Sequence, residues 1–218
     1  MPIFKIDLHV HTLYSYDGFT PIEALASKAE KRGLNGLAIT DHDTIKGALK
    51  ALEEITNVII IPGEEITTKS GHLLALGVVE HISSGLEVAE TAEKIRDQGA
   101  LVVLPHPSTL YKPVVNKRIA KKINPDAIET INASAIPFDF STRLNRKLAE
   151  ELALPQTAGS DSHIPETIGD AYSQIQTDST DLESILHAIK NGQTSQHGRC
   201  TSLNHRLKKA WLSITRTK

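Results

Sequence analysis

His9 and His11 are separated by one residue and follow the apolar run Ile3-Phe4-Lys5-Ile6. In an extended strand alternate side chains share a face, so both imidazoles point the same way. Two imidazoles converging at the end of a buried strand make a bidentate grip for a divalent transition metal. The pair alone is more often simply a polar strand face. Its weight comes from the series that follows: Asp17, Asp41, His42, Glu65, His72, His106, Asp161 and His163. Six of the ten histidines belong to this series, while His81, His187, His197 and His205 stand apart from it.

One catalytic zinc takes about three protein ligands and keeps a position open. Nine or ten nitrogen and oxygen donors therefore suit two or three ions that share a bridging carboxylate. Ions roughly 3.5–4 Å apart generate hydroxide from water and clamp the attacking and leaving oxygens of an in-line displacement. Hydrolysis of a phosphate ester is the reaction that gains most from that arrangement.

The elements that must position these residues alternate. Apolar runs over 3–6, 34–40, 58–61, 72–79, 100–104, 127–131, 156–158 and 171–175 read as strands. Between them, 20–32, 44–55, 87–98, 117–123, 141–152 and 181–191 read as helices, the first opened by Thr20-Pro21-Ile22-Glu23 and stopped by Gly33. The strand–helix unit recurs six or seven times with nearly continuous apolar strands, which predicts parallel strands covered by helices. Neither a dinucleotide-binding glycine fingerprint after the first strand nor a phosphate-binding loop is present. Most strands instead run into a polar cluster. A barrel gathers such ends in one ring at its mouth, so a barrel is the expected architecture.

The bulk composition agrees with a single globular unit: 218 residues, 39% hydrophobic and 23% charged, with only 4% aromatic. One cysteine, Cys200, excludes an internal disulfide framework. No apolar run approaches the ~20 residues of a membrane span and no basic-then-apolar signal opens the chain, so a cytoplasmic protein is expected.

The runs Asp-Leu-His-Val-His-Thr…Ser-Tyr-Asp-Gly (7–18), Ile-Thr-Asp-His-Asp-Thr (39–44), Pro-Gly-Glu-Glu-Ile-Thr (62–67), His-Pro (106–107) and Gly-Ser-Asp-Ser-His (159–163) resemble, in order, the motifs of the PHP (polymerase and histidinol phosphatase) family. The resemblance covers about residues 3–192. It implies an α/β fold, a distorted seven-stranded (β/α) TIM-like barrel, with a trinuclear site, phosphoesterase chemistry and zinc, manganese or iron as the metal. It implies that His9, His11 and Asp161 hold a first ion, that Glu65 bridges two, that His72 and His106 complete a second site, and that Asp17, His42 and His163 hold a third. Glu64 ranks behind Glu65. Asp17 replaces a histidine found in some members, which favours manganese or iron over zinc.

Asp41 is expected either to orient a ligand histidine through its free ring nitrogen or to cap the helix that follows. Glu129 and Asn132 are candidates for the pocket. Arg143 and Lys112 are the nearest basic candidates for gripping a substrate phosphate. Substrate selectivity is assigned to the loops 108–116 and 133–140.

Residues 1–192 are expected to form the metal-dependent barrel and 193–218 a basic tail. All 26 acidic residues lie before Ser184, whereas 184–218 carry seven of the 24 basic ones. Leu203, Leu207, Trp211 and Ile214 recur at helical spacing among Arg206, Lys208 and Lys209, which predicts a basic amphipathic helix. Such a helix suits an anionic membrane surface or nucleic-acid phosphate; the plainer alternative packs Trp211 on the barrel.

The functional expectation is hydrolysis of a small phosphomonoester, a nucleotide or a short oligonucleotide, with metal-bound hydroxide as nucleophile and two to three divalent ions (Zn, Mn or Fe) as cofactors. The alternatives are an amidohydrolase-type metal barrel, whose pattern Asp-His-Asp and Gly-Ser-Asp-Ser-His do not match, and a non-catalytic metal-binding module for assembly or nucleic-acid binding.

Overall fold

The computed structural model describes residues 1–108 and 117–216. The elements in chain order are β1 (Ile3–Val10), α1 (Ile22–Lys31), β2 (Gly36–Ile39), α2 (Lys46–Glu54), β3 (Ile59–Thr68), β4 (Gly71–Leu76), α3 (Val88–Asp97), β5 (Leu101–Leu104), α4 (Lys117–Ile123), β6 (Ala127–Asn132), α5 (Phe138–Leu152), β7 (Gln156–Gly159), β8 (Ala171–Gln176), α6 (Leu182–Lys190), β9 (Thr194–Gly198) and α7 (Leu203–Thr215). Among the described residues nine strands form one sheet in the order β7-β6-β5-β4-β3-β2-β1-β8-β9. The sheet curls until β7 packs against β1, β8 and β9. Side chains close the seam: Thr194 Oγ1 and Gln196 Nε2 donate to Gln156 O at 2.7 and 2.8 Å.

The fold is thus the expected α/β barrel, with two differences. The sheet has nine strands rather than seven, and it is mixed rather than parallel. β4 runs antiparallel to both β3 and β5, and β8 runs antiparallel to β1 and β9. The turn between Thr68 and Gly71 is too short for the crossover that parallel strands require, so β3 and β4 pair as a hairpin. β9 lies within 193–198, so the sheet extends past residue 192.

Two apolar layers hold the barrel. On one face of the sheet, Leu25 of α1, Ala48 of α2 and Ile95 of α3 pack with Leu37, Ile39, Val102 and Ile128. On the other, Ile6, Leu8, Ile61, Leu74 and Val103 pack with Ile185, Leu186 and Ile189 of α6. β8 delivers α6 to the Ile3 end of β1, the end away from His9. No helix among the described residues is long and apolar enough to cross a membrane.

α7 forms as predicted, with the Ser202 hydroxyl capping its first turn. Its apolar stripe does not pack on the barrel. Leu203, Leu207, Trp211 and Ile214 are 60–84% exposed, and α7 docks through its basic side chains instead. Arg206 donates to Ser134 O, Ala133 O and Thr201 O, and Arg216 to Tyr16 O and Gly18 O.

Candidate metal centre

The mouth of the barrel is assembled from loops and strand ends of distant sequence. β1 slips register against β2 between Asp7 and Val10, and β6 slips against β7 between Glu129 and Ile131. Such irregularities re-aim side chains next to active sites. His9 within the first slip and His11 just past it converge, with their Nε2 atoms 3.1 Å apart. Asp161 and His163 arrive on the loop after β7, and His42 on the loop after β2.

Two expected positions differ. Glu65 lies inside β3, which continues through Pro62 to Thr68, and is not the residue that ends it. His72 stands near the start of β4, where the antiparallel hairpin returns it opposite Thr67. Both still reach the common mouth: Glu65 lies in the later half of β3, and reversing β4 brings its starting end, with His72, to the same side.

Glu65 is the centre of the cluster. Its Oε1 faces His72 Nδ1 at 2.8 Å and His106 Nε2 at 3.0 Å. Its Oε2 faces His9 Nε2 at 3.1 Å, His11 Nε2 at 3.3 Å and His42 Nδ1 at 3.3 Å. Asp161 Oδ1 lies 3.3 Å from His11 Nε2. On the outer side Asp17 Oδ2 meets His163 Nε2 at 2.9 Å, and Asp17 Oδ1 lies 3.9 Å from His42 Nε2.

Among the described residues the donor atoms fall into three overlapping groups, each with ligand atoms within 4.8 Å of one another. They are His9, His11, Glu65 and Asp161; His42, Glu65 and His72; and His11, Asp17, His42 and His163. All the expected ligands except His106 appear in these groups, and His106 touches Glu65 directly. His42 Nδ1 is buried without a hydrogen bond. A buried imidazole nitrogen with no hydrogen bond, aimed at a carboxylate that four other histidines face, fits a divalent cation among neutral imidazoles.

The electrostatics point the same way. Burial opposes charge on His9, but Glu129, Asp161 and Glu65 outweigh it and raise the ring well above the ordinary histidine value. At His11 burial is likewise overcome by Asp161 and Glu65, which hold the ring up at about 9. Burial pushes His42 down to about 3, aided by His11 and His163. Burial also opposes ionisation of Glu65, yet the surrounding histidines keep it well below the usual carboxylate range. The buried carboxylates thus draw positive charge to the His9 and His11 side of the cluster.

The surrounding residues explain the orientation of the ligands. Glu129 accepts from His9 Nδ1 at 3.0 Å, and its other oxygen accepts from His106 N–H and Asn132 Nδ2, each at 2.9 Å. Asn132 Nδ2 also lies 3.3 Å from Asp161 Oδ2. His163 Nδ1 donates to Asp161 O at 2.9 Å, which turns Nε2 toward Asp17. His106 and Asp161 both have positive φ, 31° and 53°, a conformation uncommon for non-glycine residues.

Asp41 departs from both expectations. It neither orients a ligand histidine nor caps α2, whose N-cap residue is Ile45 with no side-chain cap. Its carboxylate accepts from Thr12 N–H at 2.6 Å and from the Thr12 hydroxyl at 2.7 Å, bracing the turn after His11. Arg143 is exposed on α5 and does not line the pocket. Lys112 lies outside the described residues, as does most of the 108–116 loop.

Sequence reading missed Ser15 and Glu64's partner. The Ser15 hydroxyl accepts from His42 N–H and donates to Asp17 Oδ1, both at 3.2 Å. Glu64 turns away from the cluster to His81 Nδ1 at 2.7 Å. Ser15 stands in the Ser-Tyr-Asp-Gly run, where Asp17 alone was assigned a role, and His81 lies in no pattern whose spacing marks it.

A cavity of about 510 Å³ opens over Asp17, His42, His72, Asp161 and His163, with Ile136, Ile164 and Thr167 on one side and His205, Arg206 and Lys209 on another. Its volume lies within the range of small-molecule sites.

Comparison with known proteins gives the family and the fold. The PHP_C family model, described as PHP-associated, matches residues 141–194. A protein of Syntrophotalea carbinolica named "Probable phosphatase" is 25% identical over 198 residues, covering 75% of this chain and 82% of its own. A two-domain protein from Bacteroides vulgatus, described as containing a predicted PHP-like metal-dependent phosphoesterase, superposes with a TM-score of 0.77 at 16% identity, over 97% of this chain and 70% of its own. The chain belongs to the PHP family. An uncharacterised protein of Methanocaldococcus jannaschii is 37% identical over 144 residues, 59% of this chain and 82% of the relative. In this chain the histidine–carboxylate cluster lies at the mouth of the PHP barrel, with the cavity opening above it.

Proposed function

We propose that the chain is a metal-dependent phosphoesterase whose substrate is a small phosphomonoester or the terminal phosphate of a nucleotide or short oligonucleotide. The observation that carries this reading is the division of Glu65, whose two oxygens face two separate sets of imidazoles. A carboxylate so placed would bridge two divalent ions. His9, His11 and Asp161 would complete one site, and His72 and His106 the other. Asp17, His42 and His163 would hold a third ion at the rim, where the cavity opens. The nitrogen and oxygen donors suit zinc, manganese or iron.

When bound, such ions supply Lewis acidity and an activated water for attack at phosphorus. The chain supplies everything else. Glu129 keeps His9 in the tautomer that presents Nε2, and Asn132 steadies Asp161. Thr12, Ser15 and Asp41 hold the turn that carries Asp17 against His42. Ile136 and Ile164 give the cavity an apolar flank for the organic part of the ester.

The test is elemental analysis of the purified chain, paired with hydrolysis of p-nitrophenyl phosphate with and without added manganese. Two to three metal equivalents and metal-dependent turnover are the expected result. Bound metal without turnover on that ester or on a panel of nucleotides would assign the site to a non-catalytic module. No metal after reconstitution would overturn the reading.

A further inference from the structure

The C-terminal helix carries its one inward lysine to the rim of the metal centre. Lys209 Nζ lies 3.2 Å from Asp17 Oδ2, across 192 positions of sequence. That same Asp17 oxygen faces His163 Nε2. α7 is fixed on both sides of Lys209. Arg206, three residues earlier, spends its guanidinium on the carbonyls of Ser134, Ala133 and Thr201. Arg216 binds the carbonyls of Tyr16 and Gly18 and lies over the Phe19 ring, its Cζ 5.0 Å from the centroid. Lys208 points the other way, to Glu166 at 2.8 Å.

Those arginines donate to backbone carbonyls and fasten the helix. Lys209 instead offers its ammonium to a single carboxylate, and its side chain is 35% exposed, within the cavity lining. A flexible four-carbon stem in that position can exchange Asp17 for a ligand in the cavity. The charges argue the same way. A divalent cation and an ammonium on one carboxylate repel each other at short range. The arrangement becomes favourable when a second anion sits beside both.

Resting on the phosphoesterase reading above, we infer that α7 is a wall of the substrate site and that Lys209 grips the dianionic phosphate of a phosphomonoester. Phosphate held there would lie between the Lys209 ammonium and the Asp17–His163 rim. The basic tail thereby acts within the barrel's own site, and it supplies the phosphate-binding cation that α5 does not.

The test uses the full chain and three readouts: manganese binding without phosphate, inorganic phosphate binding by calorimetry at saturating manganese, and kcat and KM on p-nitrophenyl phosphate. The Lys209→Met variant is expected to bind manganese as tightly as the wild type or several-fold more tightly. It should bind phosphate about tenfold or more weakly, the worth of one charge-assisted hydrogen bond. KM should rise by a similar factor with kcat much less affected. Lys209→Arg should restore part of the phosphate affinity, and Lys208→Met should leave all three readouts unchanged.

Unchanged phosphate affinity and KM in Lys209→Met would overturn the inference. Weaker manganese binding with normal phosphate affinity would overturn it too, making Lys209 a brace for Asp17. A wild type that binds manganese and phosphate without turning over any ester would fail the phosphoesterase reading alone, since the Lys209 comparison would still be measured on phosphate itself.

Discussion

Glu129 and His9 are 120 residues apart in sequence, yet Glu129 Oε1 lies 3.0 Å from His9 Nδ1 with both side chains fully buried. A carboxylate opposite Nδ1 places the proton there and leaves the Nε2 lone pair for the cluster, 3.1 Å from Glu65. Glu129 also accepts from the backbone of His106, so one side chain orients two ligands. Replacing it by glutamine keeps the volume and removes the charge. Glu129→Gln should lower metal affinity or turnover by about 10- to 100-fold without loss of secondary structure, read by metal titration beside circular dichroism.

Glu65 is the donor that no neighbour can replace, because each of its oxygens serves a different set of histidines. Glu65→Gln should reduce the metal stoichiometry by at least one equivalent and lower turnover by several orders of magnitude. His9→Ala should have a comparable effect on turnover, again with the fold intact. Elemental analysis of either variant at the wild-type metal content would contradict this arrangement.

Metal binding should depend on pH with a definite sign. His11 is held up at about 9 and His9 well above the ordinary histidine value. Both must lose a proton before they can ligate, so protons compete with the ion. Apparent affinity should therefore rise with pH up to about 9, where the His11 proton no longer has to be displaced. Manganese titrations at several pH values, with proton release measured in two buffers, would check the direction. A flat profile would contradict it.

Gly47 sits in the first turn of α2, a position where alanine is ordinarily the better helix former by about 1 kcal/mol. Here a methyl group would overlap Asp41 Oδ2 and Thr12 Oγ1, the pair that braces the turn after His11. Gly47→Ala should destabilise the protein by about 1–3 kcal/mol, opposite in sign to its helix propensity. Urea denaturation would measure this directly.

Gly159 closes β7 against His9, where an added Cβ would overlap His9 Cβ and come within 2.9 Å of Glu129 Oε1. Gly159→Ala should push the His9 ring out of line and weaken metal binding while leaving the apolar core intact. Metal titration together with an unaltered unfolding cooperativity is the expected pair of results.

What the sequence determined by itself was the inventory of donors and the alternation of elements. His-x-His on a strand places two rings on one face by backbone geometry alone, and an apolar strand running into polar residues must end at a rim. Those are local rules, and His9, His11, Asp161 and the βα order followed from them. The tertiary structure decided what depends on contacts between distant segments. Glu129 became the partner of His9 only when β6 and β1 faced each other across the barrel. Asp41 met Thr12 rather than a histidine because the β2 and β1 loops lie side by side. A short turn made β3 and β4 a hairpin, and β9 and α7 folded back onto the mouth. Arg143 and Lys209 are both basic residues on amphipathic helices, indistinguishable by local pattern. Which of them faces the metal centre is set by how each helix docks, and docking is a property of the whole barrel.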